Sequence, residues 1–221
     1  MTPEQDAAHF PHHTGRRWLD LTLALAAMSV SLISLFVAVH HGHVMNRLVA
    51  ANSWPFLTYG TTNQDPQGNP RITLKVENAG VGPARIETFE VWWRDEPIGS
   101  PEELLARCCM PDPRVQLDPS AARALHLSIG LVAPSVLRAG DAQPFLSLEQ
   151  TQDNADIWHR LDAARMQIKM RACYCSVFDE CWQADLRDTN AQDVEACPAA
   201  KVPFVVPDSW FTAAQSPAAS Q

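Results

Sequence analysis

Residues 21–39, LTLALAAMSVSLISLFVAV, run for 19 positions without a charged side chain. As a helix this run is roughly 28 Å long, close to the hydrocarbon thickness of a bilayer. Arg16 and Arg17 precede it, and Trp18 stands where an interfacial aromatic anchors such a helix. A cleaved signal peptide has a shorter apolar stretch ending in a small-x-small site, whereas this run ends in VAVHHGH. A core helix of a soluble domain is seldom apolar on every face for so long. The run therefore predicts a retained single-pass anchor over 18–40, in contact with the lipid bilayer.

The arginine pair against the single Arg47 on the far flank favours a cytoplasmic N-terminus. All six cysteines, Cys108, Cys109, Cys173, Cys175, Cys181 and Cys197, lie downstream of the anchor. An even, clustered set fits disulfides in an oxidising compartment. Both signals place the C-terminal part outside the cytoplasm, in the periplasm if the cell is bacterial. The formal charge of −8, with no basic run, argues against nucleic acid as a partner.

Within the anchor, Ala24, Ala27, Ser31, Ser34 and Ala38 recur at spacings of 3 and 4, which lays small side chains along one helix face. Such faces let membrane helices approach closely, so a homodimer or another envelope protein is the expected partner. The sequence divides into a disordered cytoplasmic tail (1–17), the anchor (18–40), a juxtamembrane helix (41–53), a β domain (54–210) and a disordered tail (211–221).

From about residue 54 the period changes to two. RITLKVEN alternates with Ile72, Leu74 and Val76 on one face, and IETFEVWW alternates with an ambiguous buried face. Between them NAGVGPA reads as a turn, with Gly80 and Gly82 offering positive φ and Asn78 an Asx-turn. SPEELLARCC carries helix-start signals at Ser100, Pro101 and Glu103. ARALHLSIGLV reads as a strand burying Leu125, Leu127, Ile129 and Leu131. NADIWHRLDAA reads as a short helix. RMQIKMRACYC is a strand with Met166, Ile168, Met170 and Ala172 inward, and KVPFVVP a last extended piece. Seven or eight short strands with brief helices predict a mainly β, two-sheet antiparallel sandwich.

In that last alternation Cys173 and Cys175 share the polar face, each within reach of a neighbouring strand or a covering loop. Cys175 and Cys181 flank a loop of a span that a hairpin disulfide can close. A bond between the adjacent Cys108 and Cys109 is strained, so each is expected to have a separate partner. Six cysteines allow 15 connectivities. The favoured pairing joins the Cys108/Cys109 corner to the Cys173/Cys175 strand, and Cys181 to Cys197. The competing use of Cys173, Cys175 and Cys181 is metal or thiol handling, although no C-x-x-C redox spacing and no paired zinc knuckles occur. The histidine tracts at His9, His12 and His13 and at His40, His41 and His43 read as polar flanks rather than metal ligands. No nucleophile elbow, H-E-x-x-H, P-loop or dinucleotide fingerprint is present, so neither an enzyme nor a cofactor is expected.

The phrase VENAGVGPARIETFEVWW resembles an N-x-G-x-G-P-A motif of uncharacterised bacterial membrane-anchored proteins, as does NSWP at Asn52–Pro55. The matching residues are Asn78, Gly80, Gly82, Pro83 and Ala84, with CSVFDECW a further element. The resemblance implies an N-terminal helix followed by an immunoglobulin-like extracytoplasmic domain, and carries no activity with it.

Overall fold

A computed structural model describes residues 17–115, 117–208 and 210. The expected tails, 1–17 and 211–221, lie outside the described residues except for Arg17. The chain forms two units, residues 1–49 and 50–221.

The described residues of the first unit are helical. Helix α1, Arg17–Asn52, runs unbroken for 36 residues, about 54 Å. The anchor and the juxtamembrane segment are thus one helix, and none of its residues is buried. Its apolar stretch is long and apolar enough to cross a membrane. Ser31 Oγ donates to the Ala27 carbonyl (2.8 Å), so this hydroxyl is satisfied inside the helix.

The second unit consists of two antiparallel sheets around one core. One sheet has the order β1 (Leu57–Gln64), β2 (Pro70–Asn78), β7 (Ala142–Glu149), β5 (Leu127–Ile129). The other runs β10 (Ala191–Val194), β9 (Cys181–Asp185), β8 (Lys169–Cys175), β3 (Ala84–Trp93), β4 (Glu96–Ile98), with β6 (Ser135–Leu137) also on β3. Phe89 of β3 and Phe145 of β7 meet edge-on between the sheets, and Phe204 closes the triangle. Among the described residues the unit also holds two longer helices, α2 (Pro101–Cys109) and α4 (Ala155–Ala164), and the short α3 (Pro119–Ala124).

The β2 alternation holds: Ile72, Leu74 and Val76 are fully buried. The ambiguous face of β3 has a physical cause. A register shift between Ile86 and Thr88 inserts a bulge against β8, so the buried set changes from Ala84 and Ile86 to Phe89, Val91 and Trp93. Two expectations fail. ARALHLSIGLV is not one strand: Asp118 caps α3 through Ser120 and Ala121, and only Leu127–Ile129 pairs with β7. Leu131 is consequently exposed. Met166 is exposed too, because it falls in the turn after α4 and precedes β8. KVPFVVP joins no sheet, yet its Phe204 amide donates to the Phe89 carbonyl.

Register places one end of the domain plainly. Leu57 pairs with Asn78, Glu77 with Ala142, Ala84 with Leu137, and Arg85 with Cys175. The start of β1, the 79–83 loop, the end of β6 and the β8–β9 turn therefore share that end.

Candidate functional site: a sulfur cluster on the second sheet

The cysteine-bearing segment is held by strand register. β8 pairs with β3 on one side and β9 on the other, which sets Cys175 directly opposite both Arg85 and Cys181. Cys175 bonds Cys181 across the β8–β9 hairpin, as a hairpin closure requires. Two residues earlier, on the same face, Cys173 is bonded to Cys197. Cys197 lies just beyond β10, in a segment that crosses over the sheet. That segment covers the outer face, so Cys173 and Cys175 are buried although they share a face with the exposed Lys169 and Arg171.

Two expected pairings are corrected. Cys181 does not pair with Cys197, because register places it opposite Cys175 and leaves Cys197 to Cys173. The Cys108/Cys109 corner does not reach the β8 cysteines. α2 follows the β3–β4 hairpin, whose turn at Arg94 and Asp95 lies at the end of β3 remote from the Arg85–Cys175 pair. Cys108 and Cys109 are bonded to each other at the C-terminus of α2. All six cysteines are thus oxidised in three bonds.

The two β8 disulfides touch. Cys175 Sγ lies 3.9 Å from Cys197 Sγ, and the sulfurs of Cys175, Cys181 and Cys197 all fall within 4.8 Å of one another. These three border a groove of ≈ 510 Å³, with Arg85, Asp179 and Glu195 among its other walls. Cys173 is fully buried and outside that wall. Arg85 is held by Glu87 (2.6 Å) and Asp179 (2.8 Å), and these hydrogen bonds, Glu87 first, raise its pKa further. Its charge is therefore already compensated. Tyr174, between the two β8 cysteines, is fully buried, and burial pushes its phenol up. As bonded sulfurs the cluster is not a metal site, since only thiolates bind a metal strongly. Reduction would present three converging soft ligands.

Sequence reasoning singled out Cys173, Cys175 and Cys181 but not Cys197 as their fourth member. The signal available was register: hairpin closure by Cys175 and Cys181 leaves Cys173 in need of a covering segment. The other sites lie elsewhere. His40, His41 and His43 are exposed on α1, and His9, His12 and His13 lie outside the described residues. The small-residue face Ala24, Ala27, Ser31, Ser34 and Ala38 is exposed along α1. A larger cavity, ≈ 640 Å³, adjoins α2 and α3 and includes Glu102, Arg114 and Trp210. Burial raises the Glu102 carboxyl above its usual range. Glu103, by contrast, accepts from the Gly99 amide (2.7 Å) and pairs with Arg107 (2.9 Å).

The motif residues form a second constellation at the same end of the domain. Asn78, 1% exposed, donates to the carbonyls of Gly82 (2.8 Å) and Leu137 (3.1 Å). Its Oδ1 accepts from the amides of Gly80 (3.0 Å) and Phe56 (3.2 Å). The Asx-turn is present, but Gly80 and Gly82 do not adopt positive φ. They are glycine because a Cβ at Gly80 would meet the backbone of Trp54 and Phe56, and one at Gly82 the backbone of Ser53. NSWP and N-x-G-x-G-P-A are thus two halves of one packed junction.

Comparison with known proteins finds no matching family model, curated protein or solved structure.

Proposed function

We propose that this chain is a single-pass inner-membrane protein of a bacterial envelope. Its N-terminus is cytoplasmic, and its disulfide-closed domain is a periplasmic binding or scaffolding module without catalysis. The observation that carries this reading is the contrast within one chain: an apolar helix with no buried residue precedes a domain whose six cysteines are all bonded. Bonded cysteines persist outside the reducing cytoplasm, and the Arg16–Arg17 pair against Arg47 supports the same orientation.

Strand order supports an immunoglobulin-like domain. β1-β2-β7-β5 follows the A-B-E-D order, and β9-β8-β3-β4 follows G-F-C with an added C′. The family suggested by N-x-G-x-G-P-A fits this order, and the Asn78 junction gives its motif a structural role. The partner in this reading is another envelope protein, or a second copy met through the Ala24, Ala27, Ser31, Ser34 and Ala38 face. Ser31→Leu should then weaken self-association of the segment in a membrane two-hybrid assay.

The deciding experiment is alkylation of intact cells with a membrane-permeant maleimide, followed by mass spectrometry with and without reductant. No labelled cysteine is the expected result. Three or more labelled thiols would overturn the orientation and with it the module reading. A second reading, thiol handling, is favoured by one observation only: the 3.9 Å contact between the two β8 disulfides.

A further inference from the structure

The sulfur cluster has a property that two independent staples lack. When two disulfides touch, a thiolate released from one is already placed to attack the other, and that second step is intramolecular. Cys175 is the residue so placed, bonded to Cys181 and 3.9 Å from Cys197 Sγ. Access is one-sided: Cys175, Cys181 and Cys197 border the groove, whereas Cys173 is fully buried.

We propose that this corner is a thiol–disulfide exchange site whose co-reactant is a dithiol, and that it passes a bond from the groove inward to Cys173. The incoming thiolate attacks Cys181 Sγ. A mixed disulfide forms there, the Cys175–Cys181 bond breaks, and its electron pair leaves as the Cys175 thiolate. That thiolate attacks Cys197 Sγ. The Cys175–Cys197 bond forms, the Cys173–Cys197 bond breaks, and Cys173 leaves as a thiolate and takes up a proton from solvent. The second thiol of the co-reactant then displaces Cys181, which is released as a thiolate and also protonated. The dithiol is oxidised to its disulfide by two electrons, and the protein gains two thiols, Cys173 and Cys181. One protein disulfide remains, between Cys175 and Cys197. The product differs from simple reduction of the groove-facing hairpin bond, which would free Cys175 and Cys181 and leave Cys173 bonded. This inference rests on the oxidised sulfurs and their contact, not on the binding-module reading.

The sequence makes the test direct, because Tyr174 separates Cys173 from Cys175 and Phe178 separates Cys175 from Cys181. Cleavage after aromatic residues therefore resolves all three. Purified full-length protein in detergent, with three disulfides verified by mass, would receive one equivalent of dithiothreitol at pH 8. Acid quench, alkylation, non-reducing digestion with chymotrypsin and mass spectrometry follow. The expected result is labelling of Cys173 and Cys181 in a ratio of about 1, with a peptide linking Cys175 to Cys197. In Cys175→Ser, labelling of Cys173 with formation of a Cys181–Cys197 bond would show that Cys181 can replace Cys175, and would overturn the assigned order. Paired labelling of Cys175 and Cys181 in the wild type, with Cys173–Cys197 intact, would overturn the exchange itself. So would paired labelling of Cys173 and Cys197.

Discussion

One end of the domain is fastened in two ways. On the first sheet and its crossing to the second, Asn78 joins three chain segments by four side-chain hydrogen bonds. On the second sheet, two disulfides join β8 to β9 and to the segment after β10. The Asn78 bonds exist only in the folded chain, and removing the amide withdraws a partner from each buried or half-buried group they serve. The disulfides act chiefly by limiting the unfolded chain, and their effect depends on the length of loop closed. Similar stabilisation at one end of a domain can thus depend on opposite sides of the folding equilibrium, and a reductant distinguishes them.

The largest effect is expected from Asn78→Ala. It would remove the side-chain hydrogen bonds that serve the amides of Phe56 and Gly80 and the carbonyls of Gly82 and Leu137, at a cost of about 4 kcal/mol for the group. Urea denaturation should show this loss equally with and without reductant. Next is the pair Cys173→Ala with Cys197→Ala, which opens a loop spanning 24 positions. Loop-closure entropy assigns it ~3.4 kcal/mol. Its deficit against wild type should shrink in reductant, where the wild type loses the same bond. Third is Cys175→Ala with Cys181→Ala, across 6 positions, worth ~2.2 kcal/mol on the same basis. If both cysteine-pair deficits stayed unchanged in reductant, the sulfurs would be acting by packing, and the contrast with Asn78 would collapse.

What could be read beforehand follows the same division. The Asn78 turn and its glycines were legible because their chemistry is local, set by spacing within NAGVGPA. The reason for the glycines was not, since it lies in a backbone approach from residues 53–56, more than 20 positions away. The β2 and β8 faces were legible from alternation. β3 was ambiguous because a bulge changes its face partway along, and a period cannot report a slip. Pairing of Cys175 with Cys181 was one option the hairpin offered, but the favoured pairing gave Cys181 to Cys197 instead. The Cys173–Cys197 bond was not legible, because it depends on the path of a segment with no periodic signal. For α3, Asp118 and Pro119 are valid start signals that the apolar alternation of ARALHLSIGLV outweighed.

The remaining sulfur pair tests the loop-length argument at its limit. Cys108 and Cys109 are neighbours, so their bond closes no loop beyond the peptide that already joins them. It cannot restrict the unfolded chain as the β8 bonds do, and any stabilisation must come from packing in the folded state. Cys109 is fully buried and Cys108 only partly so. Replacing both with alanine should therefore cost about 1 kcal/mol, chiefly the buried sulfur of Cys109. The cost should be the same in reductant, unlike that of either β8 pair. Denaturation of this variant in both conditions makes the comparison. A loss of about 3 kcal/mol that vanished in reductant would mean the bond constrains the end of α2 as strongly as a long-range staple. The absence of such a loss would separate the vicinal pair from the stapling sulfurs and leave it with a local role at the helix terminus, where the Cys109 carbonyl accepts from Arg160 of α4 (3.3 Å).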